Sequence, residues 1–184
     1  MTPIRTKRLI LRDWRESDRA LFHRINSDER VMEFFPFRRD RAQSDAKMDE
    51  LQAIIDRDGY GFAAVEIAET GECAGFAGIT GTDHIPSLPE GMVEIGWRLA
   101  PEFWGRGVAT EAARAWLGFG FDTLGLEEIV SFAVKANHRS TAVMERLGMR
   151  AEPALDFDHP SVPDSHPHLK RHAFYRLKRA DWKA

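Results

Sequence analysis

Pro101-Glu-Phe-Trp-Gly-Arg-Gly-Val-Ala-Thr-Glu111 is a short glycine loop set between two periodic segments. Upstream, Met92 to Leu99 alternates as a strand, with Met92, Glu94, Gly96 and Arg98 on one face and Val93, Ile95, Trp97 and Leu99 on the other. Downstream, Thr110 to Leu124 reads as a helix that Gly125 ends. A glycine loop between a strand and a helix start aims several backbone N–H groups at one point beside the helix N-terminus, which suits an anion. Gly105 and Gly107 lack Cβ, so phosphate oxygens can approach the main chain. Charge-assisted hydrogen bonds contribute about 1.5–3 kcal/mol each, so several of them outweigh a modest overall negative charge. The same residues would also make a tight strand-to-helix turn with no ligand. Two other phosphate folds are disfavoured: Gly-Lys-Ser/Thr does not follow the glycines, and Ala109 after Val108 leaves no third glycine for a dinucleotide fingerprint.

Working outward, Arg8-Leu-Ile-Leu-Arg-Asp-Trp14 predicts a first strand, and Ser17 with Asp18 a helix start before Ala20, Leu21, Phe22 and Ile25. Pro36 in Phe34-Phe-Pro-Phe37 blocks helix continuation. A second helix is expected over about Arg41 to Arg57, with Ala46, Met48, Leu51, Ile54 and Ile55 as its apolar stripe and Gly59 at its end. Gly61 to Ala68 and Cys73 to Thr82 predict a hairpin around Glu69-Thr-Gly-Glu72, and the glycines of the return strand suggest tight packing or a bulge. Pro86-Ser-Leu-Pro89 is a loop. Gly118 and Gly120 each weaken their helix by about 1 kcal/mol relative to alanine, which predicts close packing on a neighbour. Glu128 to Val134 is a strand, Arg139 to Leu147 a helix stopped by Gly148, and Met149 to Phe157 and His172 to Leu177 are final strands around a Pro/His loop. The order is one mixed α/β domain over residues 1–184, without repeat or linker, and neither a Rossmann fold nor a barrel follows from it.

Composition narrows the function classes. The formal net charge is −3 over 184 residues, where a duplex-binding protein would show a basic excess. Cys73 is the single cysteine, so no intramolecular disulfide and no cysteine zinc site are possible. Met-Thr-Pro-Ile-Arg-Thr-Lys-Arg has no apolar signal core, and no run approaches the roughly 20 apolar residues of a membrane span. A cytoplasmic protein with no nucleic-acid or membrane partner is expected.

At the glycine loop the chain resembles the GNAT superfamily of acyl-CoA-dependent N-acetyltransferases, and within it the branch of ribosomal-protein N-terminal alanine and serine acetyltransferases. The matching pieces are Thr6-Lys-Arg-Leu-Ile-Leu-Arg12, Val93-Glu-Ile-Gly-Trp97, Trp104-Gly-Arg-Gly-Val-Ala-Thr-Glu-Ala112, Asn137-His-Arg-Ser140 with Leu147-Gly-Met149, and His172-Ala-Phe-Tyr-Arg-Leu177. They occur in order over nearly the whole chain. The family's Gln/Arg-x-x-Gly-x-Gly/Ala motif aligns as Trp104-Gly-Arg-Gly-Val-Ala109, with Trp104 in place of the polar first residue. The resemblance implies a central twisted mixed sheet of about six or seven strands flanked by about four helices. It also implies a split between the strands ending near Leu99 and Val134, with pantetheine between them. It further implies acetyl-CoA as co-substrate, no metal, and cofactor contacts from Leu99, Trp104, Gly105, Arg106, Gly107, Val108, Ala109, Thr110, Asn137 and Ser140. The resemblance implies a primary amine as acceptor, either a protein N-terminus or a small molecule, and a monomer or homodimer is expected.

Acetyl transfer by direct attack in a ternary complex needs a neutral amine, a polarised carbonyl and a stabilised leaving thiolate. An α-amine with a pKa of about 7.8 is roughly one-seventh neutral at pH 7, while a lysine near 10.4 is below about 0.1% neutral, so a weak base acting through water suffices for the first. Glu94 is the expected base, mid-strand on the face of Gly96; Asp83 and His84 are secondary. Asn137 either caps its helix or, by the resemblance, contacts the pantetheine arm, with Ser140 near the sulfur. Many family members carry a tyrosine acid seven residues after this asparagine, where this chain has Met144, so Ser140 or a water is left to serve, with Tyr175 as a rival in the last strand. His159, His166, His168 and His172 lack the spacing of a metal site. Phe34, Phe35 and Phe37 are core or dimer contacts, in a segment that borders the acceptor groove in similar enzymes. An aminoglycoside or polyamine acetyltransferase, and a non-catalytic acyl-CoA-binding regulatory module, are the alternatives.

Overall fold

A computed structural model describes residues 1–83 and 85–183. Its elements are β1 (Ile4–Arg5), β2 (Leu9–Arg12), α1 (Arg19–Ser27), α2 (Arg41–Asp58), β3 (Phe62–Ile67), β4 (Cys73–Gly81) and β5 (Val93–Leu99), then α3 (Val108–Gly118), β6 (Glu128–Val134), α4 (His138–Arg146), β7 (Arg150–Ala151), β8 (Phe157–Asp158) and β9 (Arg171–Lys178). The strands form one nine-stranded sheet in the order β1-β2-β3-β4-β5-β6-β9-β7, with β8 also on β9. The two-residue strands β1, β7 and β8 take it beyond the six or seven expected.

Among the described residues, every pairing is antiparallel except β5 with β6. That parallel pair is registered only at Glu94↔Val130. Each strand is fully paired on its other side, β5 with β4 from Gly75↔Leu99 to Gly81↔Val93, and β6 with β9 from Glu128↔Lys178 to Val134↔His172. The C-terminal halves of β5 and β6 therefore part into the expected split. Their facing main-chain groups form two internal edges, each a template for an incoming chain of amides.

The two faces of the sheet are covered by different helices. Phe76 of β4 meets Phe22 of α1 at 5.9 Å, in an aromatic layer with Trp14 and Phe62. Ile79, on the opposite face by strand alternation, lies beside Gly120 just beyond α3. α2 starts at a capping box, where Gln43 N donates to Asp40 Oδ1 at 2.8 Å and Asp40 N to Gln43 Oε1 at 3.1 Å, and it stops at Gly59.

Several elements differ from expectation. Ala46 is exposed, and Ser44 takes a buried place on α2 instead. The third helix begins at Val108 rather than Thr110 and ends at Gly118, continuing as a single π turn over Phe119–Thr123. A Cβ on Gly120 would stand 2.6 Å from Ile129 Cδ1, so this glycine permits a close approach to β6. Gly118 meets nothing nearer than 3.9 Å and has no such compensation. The expected bulge in the hairpin is a register shift between Val65 and Glu66. Met149 to Phe157 is not one strand: Pro153 has no N–H for the ladder, and the chain turns over Pro153–Leu155 between β7 and β8.

Candidate active site

The glycine loop leaves the end of β5 through a single 3₁₀ turn, Pro101–Phe103, and enters α3 with Gly105 and Gly107 at φ of 70° and 75°. A side chain at either would be strained in this left-handed region. Among the described residues, the N–H groups of Gly105, Arg106 and Gly107 donate to no acceptor in the chain. They are exposed beside the N-terminus of α3, where the helix adds its own unpaired amides and a positive partial charge. Val108 turns inward and is 3% exposed, while Ala109 and Thr110 are half-buried in the first turn.

Two carboxylates lie in this segment, and both are engaged. Glu102 accepts from Arg24 Nη1 at 3.2 Å, and this holds its carboxyl below the usual range. Glu111 is more deeply tied. Thr6 Oγ1, Arg8 N and Arg8 Nε donate to it at 2.6, 2.9 and 2.6 Å. Loss of hydration would raise its pKa, but the hydrogen bonds from Thr6 and Arg8 outweigh that and hold it low. Arg8 also donates to the Arg106 carbonyl at 3.0 Å, so the start of β2 buttresses the loop. Lys7, Arg8 and Arg106 line an adjoining cleft of about 170 Å³. Nothing in the spacing of Thr6 and Arg8 signals this buttress, because Glu111 lies more than a hundred residues away.

Trp104 has a specific use. Its indole N–H donates to the Leu99 carbonyl at 2.8 Å, tying the loop to the end of β5. Its ring carries the Arg139 guanidinium at 4.7 Å. Arg139 sits in the first turn of α4 and also pairs with Glu33 at 2.6 Å, so one side chain links the loop, α4 and the segment after α1.

α4 begins on the β6 side of the split. Asn137 is its N-cap, with Oδ1 accepting from Ser140 N at 3.2 Å. The Ser140 hydroxyl is half-buried and has no hydrogen bond among the described residues. Met144 is 1% exposed in the main core, so the family's tyrosine position is here a packing position. Tyr175 is 7% exposed, packs in the same core, and donates to Glu145 Oε1 at 3.2 Å.

Glu94 lies at the one pair that joins β5 to β6, opposite Thr80 on β4. Loss of hydration pushes its carboxyl up to about 8. By alternation it shares a face with Gly96 and Arg98, and with Val130, Phe132 and Val134 across the register. Ser131 Oγ donates to the Ile95 carbonyl at 2.8 Å, just past that last pair. Asp83 is exposed and accepts from Gly91 N at 3.3 Å, while His84 lies outside the described residues. His172 stacks on Phe157 at 5.8 Å and lies 4.9 Å from the His159 ring, and burial lowers its pKa. Among the described residues no group of three or more His, Cys, Asp and Glu could hold a metal ion. No described helix is long and apolar enough to cross a membrane.

The family model described as "Acetyltransferase (GNAT) domain" matches residues 8–150. YkkB of Bacillus subtilis (strain 168) is 32% identical over 153 residues, covering 80% of this chain and 85% of its own. The FsC-acetyl coenzyme A-N(2)-transacetylase of Aspergillus fumigatus is 30% identical over 152 residues, covering 79% of this chain and 64% of its own. The crystal structure of the acetyltransferase from Agrobacterium tumefaciens str. C58 superposes with a TM-score of 0.76 at 29% identity, over 96% of this chain and 94% of that one.

Proposed function

The chain belongs to the GNAT acetyltransferase family and is an N-acetyltransferase, and from that premise we propose that it moves an acetyl group from acetyl-CoA to a primary amine by direct attack in a ternary complex. One acetyltransferase domain spanning residues 1–184 carries the reaction. The observation behind the donor is the row of bare amides at 105–107 beside the α3 N-terminus, with both nearby carboxylates already engaged. Such a site favours a pyrophosphate and repels little of its charge. The name of the Aspergillus relative, which includes acetyl coenzyme A, agrees with that donor.

Acetyl-CoA supplies an activated thioester when bound. The parted edges of β5 and β6 offer main-chain partners to the amides of its pantetheine arm, and Gly105 to Thr110 hold its phosphates. Asn137 keeps α4 open at the split and presents Ser140. Glu94 takes the proton that the amine must lose, directly or through a water. The nitrogen bonds to the acyl carbon as the carbon–sulfur bond breaks, and Ser140 offers its hydroxyl hydrogen to the departing sulfur. The acceptor is a protein N-terminus or a small amine.

Free-thiol release from acetyl-CoA across an amine library tests this. Turnover on at least one amine is expected, together with a rise in Tm. Acetyl-CoA at about 100 times its Kd adds roughly 2.7 kcal/mol of stability. An unmoved Tm at millimolar acetyl-CoA rejects the donor assignment. A raised Tm without thiol release on any amine leaves a non-catalytic acyl-CoA-binding module.

A further inference from the structure

Asn26 is wholly buried on α1, and its side-chain N–H donates to the Phe22 carbonyl at 2.7 Å. Its Oδ1 is left to accept, and two guanidinium groups converge on it. Arg98 Nη1 donates at 2.6 Å and Arg39 Nη1 at 3.4 Å. The Arg39 N–H also donates to the Asn26 carbonyl at 3.0 Å, which fixes the strap before α2. Each guanidinium lies over an aromatic face, Arg98 at 4.2 Å from the Phe35 centroid and Arg39 at 4.5 Å from that of Phe37.

Neither arginine has an ion-pair partner among the described residues. The neighbouring carboxylates are taken: Glu102 by Arg24, Glu29 by Arg38 and Asp28 by Arg30. Glu50 of α2 acts on Arg39 only through space. Loss of hydration, with repulsion from Arg39, pushes Arg98 down to about 9, and loss of hydration also lowers Arg39. Both stay charged at neutral pH. Two desolvated like charges sharing one neutral oxygen are costly to the fold, and such a cost is retained where a ligand offsets it.

The placement says which ligand. Arg98 shares the β5 face of Glu94, four residues or about 13 Å along the strand. That face is covered by α1, whereas the bare amides for the donor's phosphates lie at the start of α3 on the other side. Both arginines are half-buried and Phe37, under the Arg39 guanidinium, is 40% exposed. A planar guanidinium fork pairs with a carboxylate through two parallel hydrogen bonds.

We propose that Arg39 and Arg98 together form a receptor for a carboxylate carried by the acceptor. The enzyme then acetylates amines bearing an acidic group some distance from the nitrogen, such as short acidic peptides, and disfavours polyamines and aminoglycosides. The word acceptor rests on the acetyltransferase reading above; the anion receptor does not.

The test has a binding arm and a turnover arm, in wild type, Arg39→Gln and Arg98→Gln. By calorimetry, glutarate binds wild type saturably, and either substitution weakens it tenfold or more. In turnover, a glutamate-containing peptide is preferred to its glutamine twin. The KM of the acidic peptide rises tenfold or more in each variant, with CoA affinity and the KM of the glutamine peptide unchanged. Equal glutarate binding in all three proteins, or a variant that loses CoA affinity instead, overturns the proposal. Preference for the glutamine peptide does the same. Should Arg98→Gln fail to fold, Arg39→Gln on the more open strap gives the same readouts. Absence of thiol release with any amine would reject the reaction and leave the glutarate arm to judge the receptor.

Discussion

The Ser131 hydroxyl donates to the Ile95 carbonyl at 2.8 Å, immediately beyond Glu94↔Val130, the one pair that joins β5 to β6. A side chain here does what the next rung of the ladder would do, and beyond it the strands part. Ser131→Ala leaves a buried carbonyl without a donor and should cost about 1–3 kcal/mol. Urea unfolding would read this as a lower midpoint with an unchanged slope. An unaltered midpoint would mean that the split is held by packing alone.

Gly107 stands at φ 75°, and a Cβ there would lie 3.4 Å from Arg8 Nη2. Gly107→Val adds left-handed strain of roughly 1–2 kcal/mol and a branched side chain among the bare amides. CoA affinity by calorimetry should fall at least tenfold while the far-UV spectrum stays native. Wild-type affinity would reduce the loop to a turn.

Glu94 carries a carboxyl pushed from 4.5 up to about 8 by loss of hydration. Within that window the folded state holds a proton that the unfolded state has released, so stability falls as pH rises and levels off above about pH 8. Glu94→Gln removes this slope. The variant should match wild type near pH 4 and exceed it by on the order of 5 kcal/mol at pH 9. Its turnover should drop by about 10², and the loss should shrink at high pH, where more amine is already neutral. Parallel stability curves would show that Glu94 ionises normally in the fold.

Ser140 and Tyr175 separate the two assignments of the acid. Ser140→Ala should lower turnover at every pH, and less for an acyl donor with a better leaving thiol. Tyr175→Phe removes the hydroxyl's hydrogen bonds with Glu145 and Thr141, a loss of about 1–2 kcal/mol in stability with turnover retained. The opposite pattern would move the acid to the last strand.

Local signals carried much of the fold. Alternation placed β5, β6 was bounded as expected at Glu128 and Val134, and glycines at 59, 125 and 148 marked turns, because these depend on near neighbours along the chain. The glycine loop was legible for the same reason: positive φ at Gly105 and Gly107 is a property of those residues. What escaped was anything that depends on partners far apart in the chain. The Thr6–Arg8–Glu111 buttress, the Ser131–Ile95 bridge and the convergence of Arg39 and Arg98 on Asn26 join segments that only the folded sheet brings together. Trp104 shows the boundary between the two: its place in the loop was plain, but its use, an indole bound to Leu99 under the Arg139 guanidinium, was decided by tertiary geometry, since a hydrogen bond and a ring contact need positions in space.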